Sequence, residues 1–322
     1  MKVIVTGAAG FLGSHLVDKL LERGNAVVGL DSFVTGSRAN LEQASLNRDF
    51  TFIQADVSEP WTWARDVDKP DLIAHLASPA SPVDYGRDPL GTMAANALGA
   101  MHGVELAEQT GARFLFASTS EAYGDPKEHP QRESYWGNVN PLGIRACYDE
   151  SKRYAEAYVS SAARKLGLDG RIVRIFNTYG PRMQPGDGRV IPNFCIAALR
   201  GEPFPIYGDG KQTRSFCYVS DLIDGIVRMA EIPGLNGATI NIGNPGEFTI
   251  TDLAAIVSEV AGVELRIRHE DLPADDPTRR RPDISLARAA LGWRPHVELR
   301  DGLTRTLDYF RERTELAPSA QS

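Results

Sequence analysis

A chain of 322 residues with a formal net charge of −7 and 42% hydrophobic residues has room for one large or two modest domains with real cores. The acidic balance offers no electrostatic footprint for nucleic acid or an anionic membrane. No stretch approaches the ~18 apolar residues of a membrane span, and no charged-then-apolar leader is expected before the first strand, so a cytoplasmic protein is expected.

The first element is a short β-branched strand, Lys2-Val3-Ile4-Val5. Thr6-Gly7-Ala8-Ala9-Gly10-Phe11-Leu12-Gly13 follows as a glycine-rich turn, and apolar positions at Leu12, Leu16, Leu20 and Leu21 make the next stretch an amphipathic helix. Strand, glycine turn and helix are the context a dinucleotide site requires. The glycines permit close backbone approach, and the helix N-terminus presents unpaired N–H groups to a pyrophosphate. The next apolar run, Ala26-Val27-Val28-Gly29-Leu30, ends at Asp31, 18 residues past Gly13. A carboxylate there accepts hydrogen bonds from the adenosine ribose and repels a 2′-phosphate, so the expected cofactor is NAD rather than NADP.

Strands are expected at 51–54, 72–75, 114–117 and 171–175, with long helical patterns at about 89–111 and 149–166. Alternation of this kind predicts an α/β fold, a Rossmann-type doubly wound parallel sheet with ligands at its C-terminal strand ends. The later motifs fall at such ends: Asp56-Val57 after the third strand, Leu76-Ala77-Ser78 after the fourth, and Thr119-Ser120-Glu121 after the fifth. Tyr148-x-x-x-Lys152 begins 27 residues beyond Glu121. A Tyr and a Lys four apart share one helix face. The pairing suits a phenol that gives up and takes back a proton. Free Tyr titrates near ~10, and a neighbouring ammonium or an oxidised nicotinamide stabilises the phenolate.

Beyond about residue 177 proline and glycine become frequent, from Pro181 to Gly210, with further helical patterns near 219–230, 250–261 and 299–313. The expected division is an NAD-binding domain of 1–177 and about 214–242, a smaller C-terminal substrate-binding domain of 178–213 and about 243–315, and a disordered tail at 316–322. Cys147, Cys195 and Cys217 form an odd, sparse set without C-x-x-C spacing, which suits a reducing cytoplasm, and Cys147 reads as a packing residue. The six histidines show no ligand spacing, so no metal site is expected.

Longer segments carry a resemblance. They are His75-Leu-Ala-Ser-Pro-Ala-Ser-Pro82, Thr119-Ser-Glu-Ala-Tyr-Gly124, Tyr135-Trp-Gly-Asn-Val-Asn-Pro141 and Cys147-Tyr-Asp-Glu-Ser-Lys152. Arg174-Ile-Phe-Asn-Thr-Tyr-Gly-Pro-Arg-Met183, Tyr207-Gly-Asp-Gly-Lys-Gln-Thr-Arg-Ser-Phe216 and Asp275-Asp-Pro-Thr-Arg-Arg-Arg-Pro-Asp283 continue the series. From Gly7 to about Phe310 the chain resembles the extended short-chain dehydrogenase/reductase family in its nucleotide-sugar branch, and within that branch the group that decarboxylates UDP-glucuronic acid to UDP-xylose. Sugar dehydratases of the branch carry Asp-Glu where this chain has Ser120-Glu121, and simple 4-epimerases usually lack the Glu.

The resemblance implies a catalytic set of Thr119, Glu121, Tyr148, Lys152 and Arg280. Tyr148 would act as phenolate on the sugar 4-hydroxyl, with Thr119 on the same oxygen and Lys152 depressing the Tyr148 pKa. Glu121, directly or through water, would manage the proton at C5. Arg280, the middle residue of Arg279-Arg280-Arg281, would orient the sugar carboxylate through a guanidinium fork. A tight clamp would only slow the departure of CO₂. The cofactor set is Gly7, Gly10, Phe11, Leu12, Gly13, Asp31, Ser32, Thr35, Gly36, Asp56, Val57, Leu76, Ala77, Ser78, Tyr148, Lys152, Thr178 and Arg189. The substrate set is Ser120, Asn177, Val190, Tyr207, Arg214 and Arg280, with Arg214 on the diphosphate and Tyr207 near uracil. A homodimer is implied, through a four-helix bundle built from the helices at about 89–111 and 149–166, where Ala94, Ala95, Ala97, Leu98 and Ala100 allow close packing. Rival expectations are a decarboxylase that releases the 4-keto pentose, a 4-epimerase or 4,6-dehydratase, and an NAD sensor without turnover. The last usually lacks the Tyr or the Lys.

Overall fold

A computed structural model describes residues 1–272, 277 and 279–316, with side chains described to Arg313. Asp275, Asp276 and Thr278 of the basic segment, and 317–322 of the expected tail, lie outside the described residues. In chain order the first half runs β1 (Lys2–Thr6), α1 (Phe11–Glu22), β2 (Ala26–Asp31), α2 (Glu42–Ser45), β3 (Phe50–Gln54) and β4 (Leu72–His75). It continues with α3 (Pro82–Arg87), α4 (Pro89–Thr110), β5 (Arg113–Thr119), α5 (Ala146–Leu166) and β6 (Gly170–Ile175). The second half holds β7 (Thr178–Tyr179), α6 (Val190–Arg200), β8 (Phe204–Tyr207), β9 (Thr213–Ser215), β10 (Cys217–Tyr218), α7 (Val219–Glu231) and β11 (Thr239–Ile242). It ends with β12 (Glu247–Thr249), α8 (Ile250–Ala261), β13 (Ile267–Glu270), β14 (Arg279–Arg280), α9 (Ser285–Leu291) and α10 (Leu299–Leu316).

Seven strands form one sheet in the order β11-β6-β5-β4-β1-β2-β3, and every neighbouring pair is parallel. The period of two along each strand divides the core. Val3, Val5, Leu115 and Val173 face Leu16, Val17 and Leu20 of α1 and Leu222 and Ile226 of α7. Ile4, Ile73, Phe114, Phe116 and Ile172 face Ala100, Val104 and Ala107 of α4 and Ala155 and Val159 of α5. Ala100 of the expected close-packing stripe is therefore an internal core residue. Each crossover returns the chain to the same side, so all seven strands end at one edge.

Helix α5 and strand β11 depart furthest from expectation. Helix α5 begins at Ala146, three residues before 149, because Cys147 and Tyr148 in its first turn bury against Tyr85. Strand β11 escapes an apolar-run search because Asn241 interrupts it. That side chain is fully buried and bonded to Tyr123 Oη at 2.8 Å and to the Gln131 carbonyl at 3.1 Å. The short strands after β6 make smaller sheets. One of them, β12-β9-β14, places Arg280 beside Arg214 in register.

Candidate active site

A cavity of about 710 Å³ follows the C-terminal edge of the large sheet. Its floor at one end is the turn from β1 to α1. Gly7 has φ +72°, and a Cβ there would sit 2.8 Å from the Ala77 amide nitrogen. A Cβ on Gly13 would fall 1.9 Å from the Gly7 carbonyl oxygen, so the helix can approach the turn only without a side chain. Helix α1 has no side-chain cap at its N-terminal Gly10, which leaves its first amides directed at the cavity. The Thr6 hydroxyl accepts from the amides of Leu76 and Ala77, each at 3.2 Å, and is hydrogen-bonded to His75 Nδ1 at 2.8 Å. One side chain thus ties the ends of β1 and β4 together.

Asp31 closes β2 facing that turn. Its carboxylate accepts from the Ala9 amide at 2.9 Å and the Phe33 amide at 2.7 Å. Burial pushes the carboxyl above the usual aspartate range, against the pull of those amides. A glycine cradle, open helix amides and a shielded carboxylate fit an adenine dinucleotide with a free 2′-hydroxyl. Ser32, Thr35, Asp56, Val57, Leu76, Ala77 and Ser78 line the same cavity. Gly36 is the exception. It stands behind the wall, where a Cβ would meet Asp31 Oδ1 at 2.6 Å and Ala9 Cβ at 2.9 Å. Its place is to let the loop close on Asp31.

Thr119 ends β5, and its hydroxyl accepts the Glu121 amide at 3.1 Å beside the Tyr148 phenol from α5, whose titration it lowers. Lys152 Nζ donates to the Ala117 carbonyl at 2.8 Å and lies 4.9 Å from the centre of the Phe116 ring. Burial dominates both titrations. It pushes Tyr148 up to about 12, more than the Thr119 bond lowers it, and pushes Lys152 down to about 7, against the pull of Glu156. The ammonium expected to favour the Tyr148 phenolate lies 5.8 Å from the centre of the phenol ring.

Beside this pair sits a cluster of opposite charge. Glu121 Oε2 meets Arg145 Nη2 at 3.0 Å and Arg280 Nη2 at 3.3 Å. Arg280 also donates to Ser120 Oγ at 3.1 Å and to the Gly124 carbonyl at 2.9 Å, and its side chain is 1% exposed. Burial alone would raise the Glu121 carboxyl. The guanidiniums of Arg280, Arg145 and Arg214 together outweigh it and hold Glu121 below the usual glutamate range. Asp149, one residue past Tyr148, goes the other way. Burial and the Glu121 charge push it up to about 7.

The remaining expected residues line the same cavity. Asn177 and Thr178 follow β6, and the Thr178 hydroxyl is turned onto the Phe176 carbonyl at 2.8 Å. Arg189 caps α6 and pairs with Asp187 at 2.8 Å, and Val190 is the first residue of that helix. Arg214 donates from Nη1 to the Thr213 carbonyl at 2.9 Å and from Nη2 to the Pro277 carbonyl at 2.6 Å, which fixes its guanidinium at the cavity wall that Tyr207 also lines. Arg279 is exposed, while the Arg281 amide is held by Gln131 Oε1 at 2.8 Å.

Three contributors are missing from the sequence-based set. Tyr85 stacks on Tyr148 with centroids 5.3 Å apart and planes 13° from parallel. Arg145 supplies the second cation on Glu121. Gln131, fully buried, bonds both the amide and the carbonyl of Arg281 and so positions the segment carrying Arg280. Arg145 had a signal: it lies one turn before Tyr148. Tyr85 and Gln131 had none, since their partners are distant in sequence.

A family model described as NAD dependent epimerase/dehydratase family matches residues 3–243. UDP-glucuronic acid decarboxylase 3 of Arabidopsis thaliana is 50% identical over 314 residues, covering 97% of this chain and 90% of its own. UDP-glucuronic acid decarboxylase 1 of Xenopus tropicalis is 46% identical over 314 residues, covering 98% and 73%. Among solved structures, UDP-glucuronic acid 4-epimerase of Bacillus cereus in complex with UDP-glucuronic acid and NAD superposes with a TM-score of 0.89 at 29% identity, covering 97% and 100%. With the glycine turn, Asp31 and the Tyr148–Lys152 pair in place around one cavity, the chain belongs to the NAD dependent epimerase/dehydratase family.

Proposed function

We propose that this protein is an NAD-dependent decarboxylase that converts UDP-glucuronic acid to UDP-xylose with no net oxidation. The observation that carries the reading is the Glu121–Arg145–Arg280 cluster beside Thr119 and Tyr148, where a hexose C6 carboxylate and C4 hydroxyl would lie together. Relatives at 46–50% identity bear the same activity in their names. The epimerase structure bound to UDP-glucuronic acid supports the sugar but not its own chemistry for this chain, because its identity is lower.

NAD, held by Gly7–Gly13 and Asp31, supplies a reversible hydride acceptor for C4. Tyr148 takes the O4 proton and later returns it, while Thr119 bonds the same oxygen. A ketone at C4 is β to the C6 carboxylate, so the electrons of the C5–C6 bond flow into it and CO₂ leaves. One proton must then replace CO₂ at C5. Glu121, kept ionised by three arginines, suits ordering a water over C5 rather than spending a proton of its own. Arg145 and Arg280 hold the carboxylate in line and stabilise charge developing on the ring. Arg214 faces the diphosphate and Tyr207 the uracil, and residues 178–213 and 243–315 act as the substrate-binding part over the 1–177 and 214–242 part. Release of the 4-keto pentose before re-reduction is the second reading.

Assembly is proposed as a homodimer through α4 and α5. Leu90, Met93 and Leu98 on α4 and Tyr154 on α5 are all more than 40% exposed, an outward apolar face beside the catalytic helix. A cytoplasmic setting is proposed on the three buried, unpaired cysteines. Among the described residues no helix is long and apolar enough to cross a membrane.

The deciding experiment incubates the protein with UDP-glucuronic acid and NAD and follows the sugar signals by proton NMR. UDP-xylose with CO₂ and no lasting NADH is expected. Accumulated 4-keto pentose with NADH would favour the second reading, and no conversion would overturn both.

A further inference from the structure

Behind the catalytic pair, between α5 and the sheet, lies a charged cluster that the reaction as described leaves unused. Lys152 and Glu156 are one turn apart on α5 and therefore share a face. That face meets β5 at consecutive residues. The Ala117 carbonyl takes the Lys152 ammonium at 2.8 Å, and the Ser118 hydroxyl donates to Glu156 Oε1 at 2.6 Å. Arg174 of β6 completes the enclosure, with Nε on Oε1 at 2.9 Å and Nη2 on Oε2 at 2.7 Å. Glu156 is 8% exposed, and both its oxygens are held.

A buried ion pair contributes little net stability, and an apolar tie between helix and sheet would serve folding equally well. What an apolar tie could not do is place a negative charge one turn from Lys152. We propose that Glu156, fixed by Ser118 and Arg174, is a positioning residue of the active site whose charge keeps Lys152 an ammonium beside the Tyr148 phenolate.

The surroundings leave Glu156 that task. Lys152 is faced by Tyr148 and Glu156 from its own helix, by the Phe116 ring and Ala117 carbonyl from β5, and by His75 from β4. Burial holds His75 neutral, with its Nδ1 satisfied by Thr6, so it offers no countercharge. Tyr148 is faced by Glu121, Asp149 and Arg189, and Arg174 in turn lies over the Tyr123 ring. Of these groups Glu156 is the one that favours the charged form of Lys152.

The Tyr148 ring lies 5.8 Å from Lys152 Nζ, close enough for the charge of each to bear on the proton of the other. Between about 7 and about 12 the pair holds one proton, and phenolate with ammonium competes with phenol and amine. Below the lower step both groups are protonated, and Tyr148 cannot accept the O4 proton. Removing the Glu156 charge has two linked consequences. The active arrangement becomes scarcer across the window, and the lower step moves to lower pH because the ammonium gives up its proton more readily.

The inference rests on the proposed reaction for its activity readout, so a substrate-free readout runs beside it. In Glu156→Gln, the plateau of kcat/KM for UDP-glucuronic acid should fall about tenfold and its acid limb should move down by about one pH unit. KM for the sugar should stay within about twofold, since no contact to it is lost. Glu156→Asp should return the limb most of the way. Should Glu156→Gln fold poorly around an unpaired arginine, the neutral pair Glu156→Gln with Arg174→Met should fold and move the limb in the same direction by less, because the opposing Arg174 cation leaves with the carboxylate. A lower plateau with an unmoved limb would overturn the proposal and leave Glu156 a structural tie. The second readout is tyrosinate absorbance of the NAD-bound protein, taken as the difference from Tyr148→Phe. Its lower step should shrink and shift down in Glu156→Gln, and an unchanged step would sink the proposal. If the wild-type chain fails to decarboxylate UDP-glucuronic acid, the reaction is wrong and this titration still decides Glu156.

Discussion

Around the cofactor turn, Thr6 reaches 69 to 71 residues to His75, Leu76 and Ala77, but the carboxylate at the end of β2 finds its partners nearer in sequence. Asp31 takes amides 22 and 2 residues away, at Ala9 and Phe33. On the opposite side Arg280 reaches 160 residues to Ser120 and 159 to Glu121, over a short strand itself positioned by Gln131. The electrostatics differ in the same way. Asp31 is one anion among amides, whereas the far side gathers Arg145, Arg214 and Arg280 around Glu121, with Asp149 pushed up to about 7. The near side is a mould that backbone geometry fixes in advance. The far side is a charge balance that a bound carboxylate would change, so substitutions in the two regions should fail differently.

Tyr148 stands where the regions meet, and its loss should be the largest effect. Tyr148→Phe should lower kcat about 10³-fold, within the range for a lost acid–base group, while calorimetry finds NAD and UDP-glucuronic acid binding unchanged within a few-fold. A rate near wild type would remove Tyr148 from the proton path. Arg280→Met comes next. It takes one cation from the part-buried Glu121 and, in the proposed reaction, from the sugar carboxylate, so kcat/KM for UDP-glucuronic acid should fall about 300-fold. Binding of UDP-glucose, which lacks the carboxylate, should change less than about threefold. Equal losses for both nucleotides would mean that Arg280 only supports the fold.

Glu121→Gln sharpens the contrast because its two kinetic effects should have opposite signs. Glu121 holds Arg145 and Arg280, the guanidiniums on which the sugar carboxylate would draw in the proposed reaction. Without its charge, KM for UDP-glucuronic acid should drop about fivefold as the arginines turn to the substrate, while kcat falls about 30-fold for want of an ordered proton path. Steady-state kinetics decides it. A raised KM would show that Glu121 helps to hold the sugar and does not compete with it.

The same contrast explains what the sequence made legible. The glycine turn, Asp31, Thr119 and the Tyr148–Lys152 spacing are local patterns whose geometry follows from helix and strand periods, and the cavity brings them together. Glu121 and Arg280 were legible in identity but not in partnership, since nothing local pairs residues 159 apart. Arg145 offered only its place one turn before Tyr148, and Tyr85 sits in a proline-rich stretch; the meaning of each lies in what packs against it. Asn241 concealed an edge strand of the large sheet by putting an amide where an apolar residue was expected. Gly36 was legible as part of the site but not as support for Asp31.

The smallest expected effect belongs to the mould, at Asp31. Both carboxylate oxygens already accept backbone amides, so Asp31→Asn keeps one acceptor and turns an NH₂ toward an N–H donor at Phe33 or Ala9. Loss of that bond, with loss of charge at the ribose, should weaken NAD about tenfold by fluorescence titration. The NADP-to-NAD dissociation constant ratio should fall by about the same factor, because a 2′-phosphate no longer meets a carboxylate. The pH dependence has a definite sign. Burial raises the Asp31 carboxyl, so on acidification it protonates sooner than an exposed aspartate, and wild-type NAD affinity should decline while exposed aspartates are still ionised. Asp31→Asn should lack that decline. An identical acid dependence in both proteins would place the titrating group elsewhere and leave Asp31 as a structural acceptor for the turn.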